Sequence, residues 1–137
     1  MDAPLILPVV TPENAHFWQG GADGRLQFQR CVPCGFLIHP PSPVCLHCHG
    51  TELDIATVSG DAVVASFTVN HQAWRPGLAV PYVIAIVELP EQTGLRLTTN
   101  IVGCPPEAVH IGVAVQVVFE QVEDVWLPLF TPRREAT

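Results

Sequence analysis

The sequence has no lysine at all. Its six positive charges are all arginines, set against thirteen carboxylates, for a formal charge of −7. Charged residues make up only 14% of the chain, well below the roughly one quarter of an ordinary soluble domain. There is one methionine and one tyrosine. These shortages exclude several classes. A nucleic-acid-binding surface needs cations to neutralise phosphates, and this chain has a deficit of them. Intrinsic disorder needs low hydrophobicity with high charge, whereas 48% of residues here are hydrophobic and mean hydropathy is +0.32. Long apolar runs are also missing. The longest stretch without Asp, Glu, Lys or Arg runs from Cys31 to Thr51, but it holds four prolines, four cysteines and three histidines and so cannot be a spanning helix. The opening MDAPLILPVVTPEN lacks a basic start and a sustained apolar core, so no secretory signal is expected. The expected compartment is the reducing cytoplasm, where five cysteines read as metal ligands or thiols rather than disulfides.

What is present falls into three parts. Residues 1–25 read as an arm followed by a short helix. Thr11-Pro12-Glu13 is a helix start, because Thr caps, Pro suits the first helical position and Glu favours the positive end of the dipole. The helix should carry Phe17 and Trp18 and stop at Gly20-Gly21. So short a helix cannot bury two aromatics by itself, so they must dock on the rest of the chain or on a partner. Residues 26–52 open with an alternating strand, LQFQR (26–30), and continue into the cysteine region. Residues 53–132 change character. Segments 63–71, 82–89, 95–102, 113–121 and 125–130 are β-branched or aromatic and are separated by Gly, Pro or Asp turns. Five short antiparallel strands fit a partly open Greek-key barrel of OB type, and an SH3-like barrel fits almost as well. Residues 133–137 read as a frayed polar tail. The fold class is therefore mainly β, with an N-terminal helical segment, a metal ribbon and a five-stranded barrel.

The strongest chemical signal is Cys31-x2-Cys34 and Cys45-x2-Cys48, separated by ten residues. Each CxxC turn offers two thiolates from a tight loop, and two such loops complete a tetrahedron. Gly35 follows the first pair, and Gly50 lies two residues past the second, where the chain must turn away. Four closed thiolates with no redox partner in view favour structural zinc, although a rubredoxin-like iron site uses the same ligands. A filled four-thiolate shell leaves no open position to activate water, so the metal contributes folding energy rather than catalysis. His39, His47 and His49 surround the site and read as packing residues around a complete shell. Cys104, in GCPP, reads as a small buried hydrophobe.

An active site is harder to find. The sequence contains no nucleophile elbow, phosphate-binding glycine loop, dinucleotide fingerprint or HExxH helix. Glu123 and Asp124 lie in an apparent hairpin turn, where solvated acids are usual. His71 ends a predicted strand and has no orienting acid or nucleophile for a general-base role. It opens the loop QAWRPGLAVP, where Trp74 and Arg75 sit side by side at a barrel mouth. That pair suits stacking on an adenine, contact with a phosphate or anchoring of a protein partner; the alternative is a loop tryptophan folded back on the core.

The order of these elements resembles the DUF35 family of acyl-CoA-associated proteins. The resemblance is carried by the FW helix (17–18), LQFQRCVPCG (26–35), HPPSPVCLHCHG (39–50) and TVSGDAVVASFTVNH (57–71). It continues through Pro81-Tyr82 opening VIAIVEL, then IVGCPPEAVHIGVAVQVVFE (101–120) and LPLFTP (127–132). It spans roughly residues 11–132 and departs from the family at Ser42 and at Asp61-Ala62. It implies an N-terminal helical segment, a rubredoxin-like zinc ribbon on Cys31, Cys34, Cys45 and Cys48, and a C-terminal OB barrel. It also implies a partner, namely a thiolase-like enzyme, a thiolase-fold aldolase or a hydratase acting on acyl-CoA thioesters. The best-described setting for the family is steroid side-chain degradation. The expected function is a non-catalytic accessory subunit in a hetero-oligomer, with the acyl-CoA shared with the partner. The alternatives are an independent acyl-CoA-binding or acyl-transfer protein and, further off, a single-stranded nucleic-acid-binding OB protein. With zinc on four thiolates the formal charge falls to about −9, which weighs further against nucleic acid. A sparsely charged surface of this kind is expected to dock a partner through the ribbon and helix, with the barrel mouth turned towards the substrate.

Overall fold

The computed structural model of the chain describes residues 7–73 and 79–133. Its first element is a short helix, α1 (Ala15–Gln19). Thr11 does begin the turn: its carbonyl accepts from the N–H of Asn14 (3.1 Å) and of Ala15 (2.9 Å). The Asn14 side-chain oxygen in turn accepts from the Thr11 N–H at 2.7 Å, the return half of a capping box. Regular helix therefore starts later than the Thr-Pro-Glu signal suggests. It stops where the Gly20-Gly21 signal puts it, at Gln19 with Gly20 as its C-cap. The chain passes through Gly20 in a right-handed conformation into a 3-10 turn over Gly20–Asp23, and left-handed Gly24 (φ 69°) ends it. The earlier glycines serve close packing as well. A Cβ on Gly21 would fall 2.5 Å from the Phe119 ring and from the Trp126 Cβ.

Among the described residues eight strands follow: β1 (Leu26–Cys31), β2 (Leu37–Ile38), β3 (Leu53–Val58), β4 (Asp61–Asn70), β5 (Tyr82–Glu88), β6 (Arg96–Ile101), β7 (Ala114–Val122) and β8 (Val125–Pro132). β2, β1 and β3 form one small antiparallel sheet, which carries the ribbon. The other five close a barrel in the order β4-β5-β6-β8-β7. Numbered within the barrel this is 1-2-3-5-4, the OB arrangement, which resolves the choice against an SH3-like barrel. The barrel is closed rather than partly open, and it is not wholly antiparallel. β6 and β8 run parallel and meet at a single register pair, Ile101↔Phe130. Pro128 has no N–H to offer there, and the buried Thr99 hydroxyl donates to the Pro128 carbonyl at 2.8 Å across the gap.

Alternation places Val64, Val83, Ala85, Val87, Leu97, Val115 and Phe130 inside the barrel. The core does not stop at the barrel wall. Phe17 from α1, Leu26 and Phe28 from β1, Leu37 from β2 and Val58 from β3 belong to the same buried cluster. A second, smaller cluster joins Cys31, Ile38 and Cys45, with Phe36 and Leu53 against it. Ribbon and barrel are also pinned by side chains of the turn between β5 and β6. The Gln92 carboxamide accepts from the Leu37 N–H (2.8 Å) and donates to the Leu37 carbonyl (2.9 Å), so it acts as a one-residue strand on the free edge of β2. Next to it, the Glu91 carboxylate accepts from the Ser59 N–H at 2.8 Å.

Replacing Gln92 with Ala removes both Leu37 bonds and leaves a buried backbone N–H and C=O without partners. Q92A is expected to lower stability by about 1–3 kcal/mol, read as a lower denaturant midpoint at unchanged slope.

Candidate metal centre and adjoining groove

The two CxxC turns are built alike. The N–H of Gly35 donates to the Cys31 carbonyl (2.7 Å), and the N–H of His49 donates to the Cys45 carbonyl (2.8 Å). The N–H of Cys31 donates to the Phe36 carbonyl, and that of Cys45 to the Gly50 carbonyl, both at 2.9 Å. Gly35 and His49 thus hold equivalent positions, and both have positive φ, 77° and 64°. Glycine takes that conformation freely, whereas histidine takes it at a cost of about 1 kcal/mol or more. The turn signal read from Gly50 therefore belongs one residue earlier, on His49. The His47 ring stacks on Phe36, with centroids 5.2 Å apart and planes 9° apart.

These turns bring the four sulfurs of Cys31, Cys34, Cys45 and Cys48 within 4.8 Å of one another. Sγ of Cys31 lies 3.4 Å from that of Cys48, and Sγ of Cys34 lies 3.7 Å from that of Cys45. A disulfide needs about 2.05 Å, so these cysteines are free thiols. A tetrahedral ion with metal–sulfur distances of about 2.3 Å has sulfur–sulfur edges of about 3.8 Å, close to what is found. Cys31 and Cys45, the first of each pair, are buried; Cys34 and Cys48 are exposed.

The electrostatics fit a cation. The Cys34 N–H favours the Cys31 thiolate, but burial and the neighbouring sulfurs outweigh it and push the thiol up to about 12. Cys34 is also raised, because burial and two of its neighbours overcome a backbone bond from Phe36. Cys45 goes the other way, to about 7: burial opposes its ionisation, but the N–H groups of Cys48 (3.5 Å) and His47 (3.3 Å) and the adjacent thiols favour it. One sulfur ionises readily and suppresses its neighbours, so four thiolates coexist only around a positive ion. The donor set, spacing and charge all suit one tetrahedral metal ion with a closed shell. Such an ion would fix the two turns against each other and leave no coordination site for a substrate.

The other residues singled out from the sequence lie elsewhere. Phe17 is only 3% exposed; its ring meets Trp18 edge-on at 4.8 Å and packs 4.7 Å from the His39 ring and 6.0 Å from Phe28. Its aromatic surface is used within the chain. Trp18 is half-buried against the same core. His71 is exposed just past β4 and is not one of the clustered metal-ligand candidates. Trp74 and Arg75 fall outside the described residues. Cys104 is half-buried, and burial raises its thiol, which fits the unreactive reading.

Two features had no signal in the sequence. One is a groove of about 650 Å³ where α1, the ribbon and the barrel meet, lined by Asn14, Trp18, His39, Pro41, Arg96 and Leu127 among others. Its walls come from segments far apart in the chain, so no local pattern announces it. The other is His39, whose ring sits between Phe17 and Phe28. Its Nδ1 is buried without a hydrogen-bond partner, as is Nε2 of His16. Burial, with a smaller contribution from His16, lowers the His39 imidazole to about 4.

A closed four-sulfur ribbon joined to an OB barrel defines the class of protein. Comparison with known proteins gives the family. A model described as the ChsH2 rubredoxin-like zinc ribbon domain matches residues 18–54, and one described as the ChsH2 C-terminal OB-fold domain matches residues 56–120. The chain belongs to this ChsH2, or DUF35, family. It is 34% identical, over 93% of its length, to the 3-oxo-4,17-pregnadiene-20-carboxyl-CoA hydratase alpha subunit of Mycobacterium tuberculosis. It spans only about 40% of the length of the hydratase alpha subunits it matches. It is 39% identical to a DUF35 domain-containing scaffold protein of Methanocaldococcus jannaschii, covering 69% of this chain and 67% of that one. Among solved structures it is similar to a chain of the Ltp2-ChsH2(DUF35) aldolase, with a TM-score of 0.81 and 37% identity, over 92% of this chain and 98% of that one. Among the described residues no helix is long and apolar enough to cross a membrane.

Two outcomes are expected. The purified chain should carry one metal ion, and stripping it with a strong chelator should unfold the 26–50 segment; protection of its amides measured by hydrogen exchange should fall furthest, with a smaller fall at the barrel amides that pack against Leu26, Phe28 and Leu37. The second concerns His39. Its folded-state value lies below the ordinary 6.5, so its contribution to stability is complete above pH 6.5. As pH falls from 6.5 towards 4, the unfolded chain takes up a proton that the folded chain refuses, and stability drops, levelling off below about 4. The loss should reach about 3 kcal/mol, with His16 adding in the same direction. His39→Phe should flatten this slope relative to wild type in urea titrations run across that range.

Proposed function

We propose that the chain is a non-catalytic accessory subunit of a thiolase-fold enzyme that acts on acyl-CoA thioesters, as a retro-aldolase or acyltransferase, with steroid side-chain degradation as a setting. The observation that carries this is the near-complete superposition on a chain of the Ltp2-ChsH2(DUF35) aldolase. The relatives named as alpha subunits and scaffold proteins support the same reading. The chemistry agrees with it. The only clustered nucleophiles among the described residues are the four cysteine sulfurs, and a metal would consume all of them. Among the described residues no acid or nucleophile is hydrogen-bonded to His71, and Cys104 is a lone thiol raised by burial.

On this reading the metal is zinc and its role is structural. The partner supplies the nucleophile or base. This chain supplies a rigid surface, and the barrel end near His71 meets the acyl-CoA or shapes its entry; Trp74 and Arg75, which follow His71 in the sequence, are the side chains proposed for that contact. The assembly is a hetero-oligomer.

The test is co-expression with a thiolase-fold protein from the same genome. A stable complex should form, and acyl-CoA cleavage or transfer should appear with the complex and not with this chain alone. Turnover by the isolated chain would overturn the assignment. Tight acyl-CoA binding by the chain without a partner, read by calorimetry, would replace it with an independent acyl-CoA-binding protein.

A further inference from the structure

Crowded sulfurs can be held together in two ways, by a shared cation or by bonds to one another. The cysteine cage is arranged for the second as well as the first. Its two sulfur–sulfur contacts at hydrogen-bond distance both run between the turns, Cys31 to Cys48 at 3.4 Å and Cys34 to Cys45 at 3.7 Å. A disulfide needs about 2.05 Å, so closing either contact takes a movement of roughly 1.5 Å, within reach of a change in side-chain torsions. Each contact also joins unlike environments. Cys31 and Cys45 are fully buried, whereas Cys48 and Cys34 are exposed. Each pair therefore holds one cysteine that a dissolved reagent reaches and one, screened from it, that touches the first.

Gly50 adds to this asymmetry. The left-handed turn is made by His49, and Gly50 itself has no positive φ. A Cβ on Gly50 would instead lie 3.2 Å from Sγ of Cys48 and 3.4 Å from Sγ of Cys31. The missing side chain leaves that contact uncovered on one side. Cys104 stands outside the cluster, half-buried against the barrel core. It serves as an internal reference for a thiol with no sulfur neighbour.

We infer that the ribbon is a peroxide-sensitive thiol site: Cys48 and Cys34 take the oxidant, and Cys31 and Cys45 resolve them into the cross-turn disulfides Cys31–Cys48 and Cys34–Cys45. The Cys48 thiolate attacks one oxygen of hydrogen peroxide, the O–O bond breaks, hydroxide leaves, and a sulfenic acid remains. The Cys31 thiolate then attacks that sulfur, the S–O bond breaks, and a second hydroxide leaves. Two thiolates thus give up two electrons to one peroxide, and two protons from solvent turn both hydroxides into water. Cys34 and Cys45 repeat the step with a second peroxide. A resolving sulfur already in contact captures the sulfenic acid before it is oxidised irreversibly. The bridged sulfurs no longer donate as thiolates, so a bound ion is lost. Both bridges span the two turns, so they tie together what the ion tied, and the ribbon keeps its shape. A dithiol reductant returns two electrons per bridge and regenerates the cage, so in a reducing compartment the bridged form is transient. The inference stands on the cage alone and is independent of the accessory-subunit reading.

The experiment uses the full chain loaded with zinc, and hydrogen peroxide as the oxidant. Released zinc is followed with a chromogenic chelator, and thiols are counted by alkylation in denaturant and mass spectrometry. Release of one ion should consume about two equivalents of peroxide, and Cys104 should be the cysteine that still alkylates. Chymotryptic cleavage after Phe36 should leave the two turns linked, and electron-transfer fragmentation should place the bridges at Cys31–Cys48 and Cys34–Cys45. In hydrogen exchange the amides of residues 26–50 should keep their protection to within about twofold after peroxide, whereas a chelator alone removes it. Dithiothreitol with added zinc should restore the starting protein. The inference is overturned if about a tenfold excess of peroxide leaves the ion in place, or if sulfinic and sulfonic acids form in place of bridges. Bridges within Cys31–Cys34 and Cys45–Cys48 overturn it too, as does an oxidised ribbon no better protected than the chelated one.

Discussion

Four sulfurs within 4.8 Å of one another are the constraint on which the ribbon depends. As thiols they crowd and as thiolates they repel, so the arrangement is stable only around a cation. The hydrogen bonds of the two turns pre-shape the cage. They bring N–H groups to Cys45 and close each CxxC with the same pair of backbone bonds, but they do not remove the repulsion. Apart from the short β2 and the start of β3, the segment between β1 and β3 is turn and coil, with only three buried residues in its own cluster. So small a cluster cannot hold twenty residues against their chain entropy. The ion therefore does for the ribbon what a core does for the barrel.

Much of this was legible in the sequence, for reasons that can be stated residue by residue. The barrel strands announce themselves because each buries one face, and the alternation in VVASFTV or LRLTTNI follows directly. The cysteine spacing is specific because metal geometry leaves little freedom in it. What escaped was whatever lacked a local period. β2 is two residues long, inside a proline-rich stretch. β3 leaves Ile55 exposed and buries fully only Val58, so its pattern does not alternate cleanly. The parallel β6–β8 contact depends on the closure of the barrel, not on either strand. The Gly20-Gly21 signal did mark the end of α1, but it carried no hint of the 3-10 turn that follows or of the close approach at Gly21, because glycine serves both ends and the sequence does not distinguish them. His49 in a left-handed turn hid behind Gly50 for a related reason: the expected glycine stands one place away.

The candidate site was legible unevenly. Chemistry that comes from side chains close in sequence, the two CxxC pairs, could be read. Chemistry assembled from distant segments could not. His39 between Phe17 and Phe28, and the groove beside it, need α1, the ribbon and the barrel to be placed first.

The shared core has a consequence for how this module can be cut and joined. Phe17, Leu26, Phe28 and Leu37 belong by sequence to the helix and ribbon, yet they are buried in one cluster with the barrel residues. A break near residue 55, where the two family models meet, would strip a hydrophobic wall from each half. Neither piece could travel through gene fusion or rearrangement without the other. A lineage that joins this unit to a larger subunit must therefore join it whole, at its ends, and the seam visible in sequence is not a seam in the folded protein.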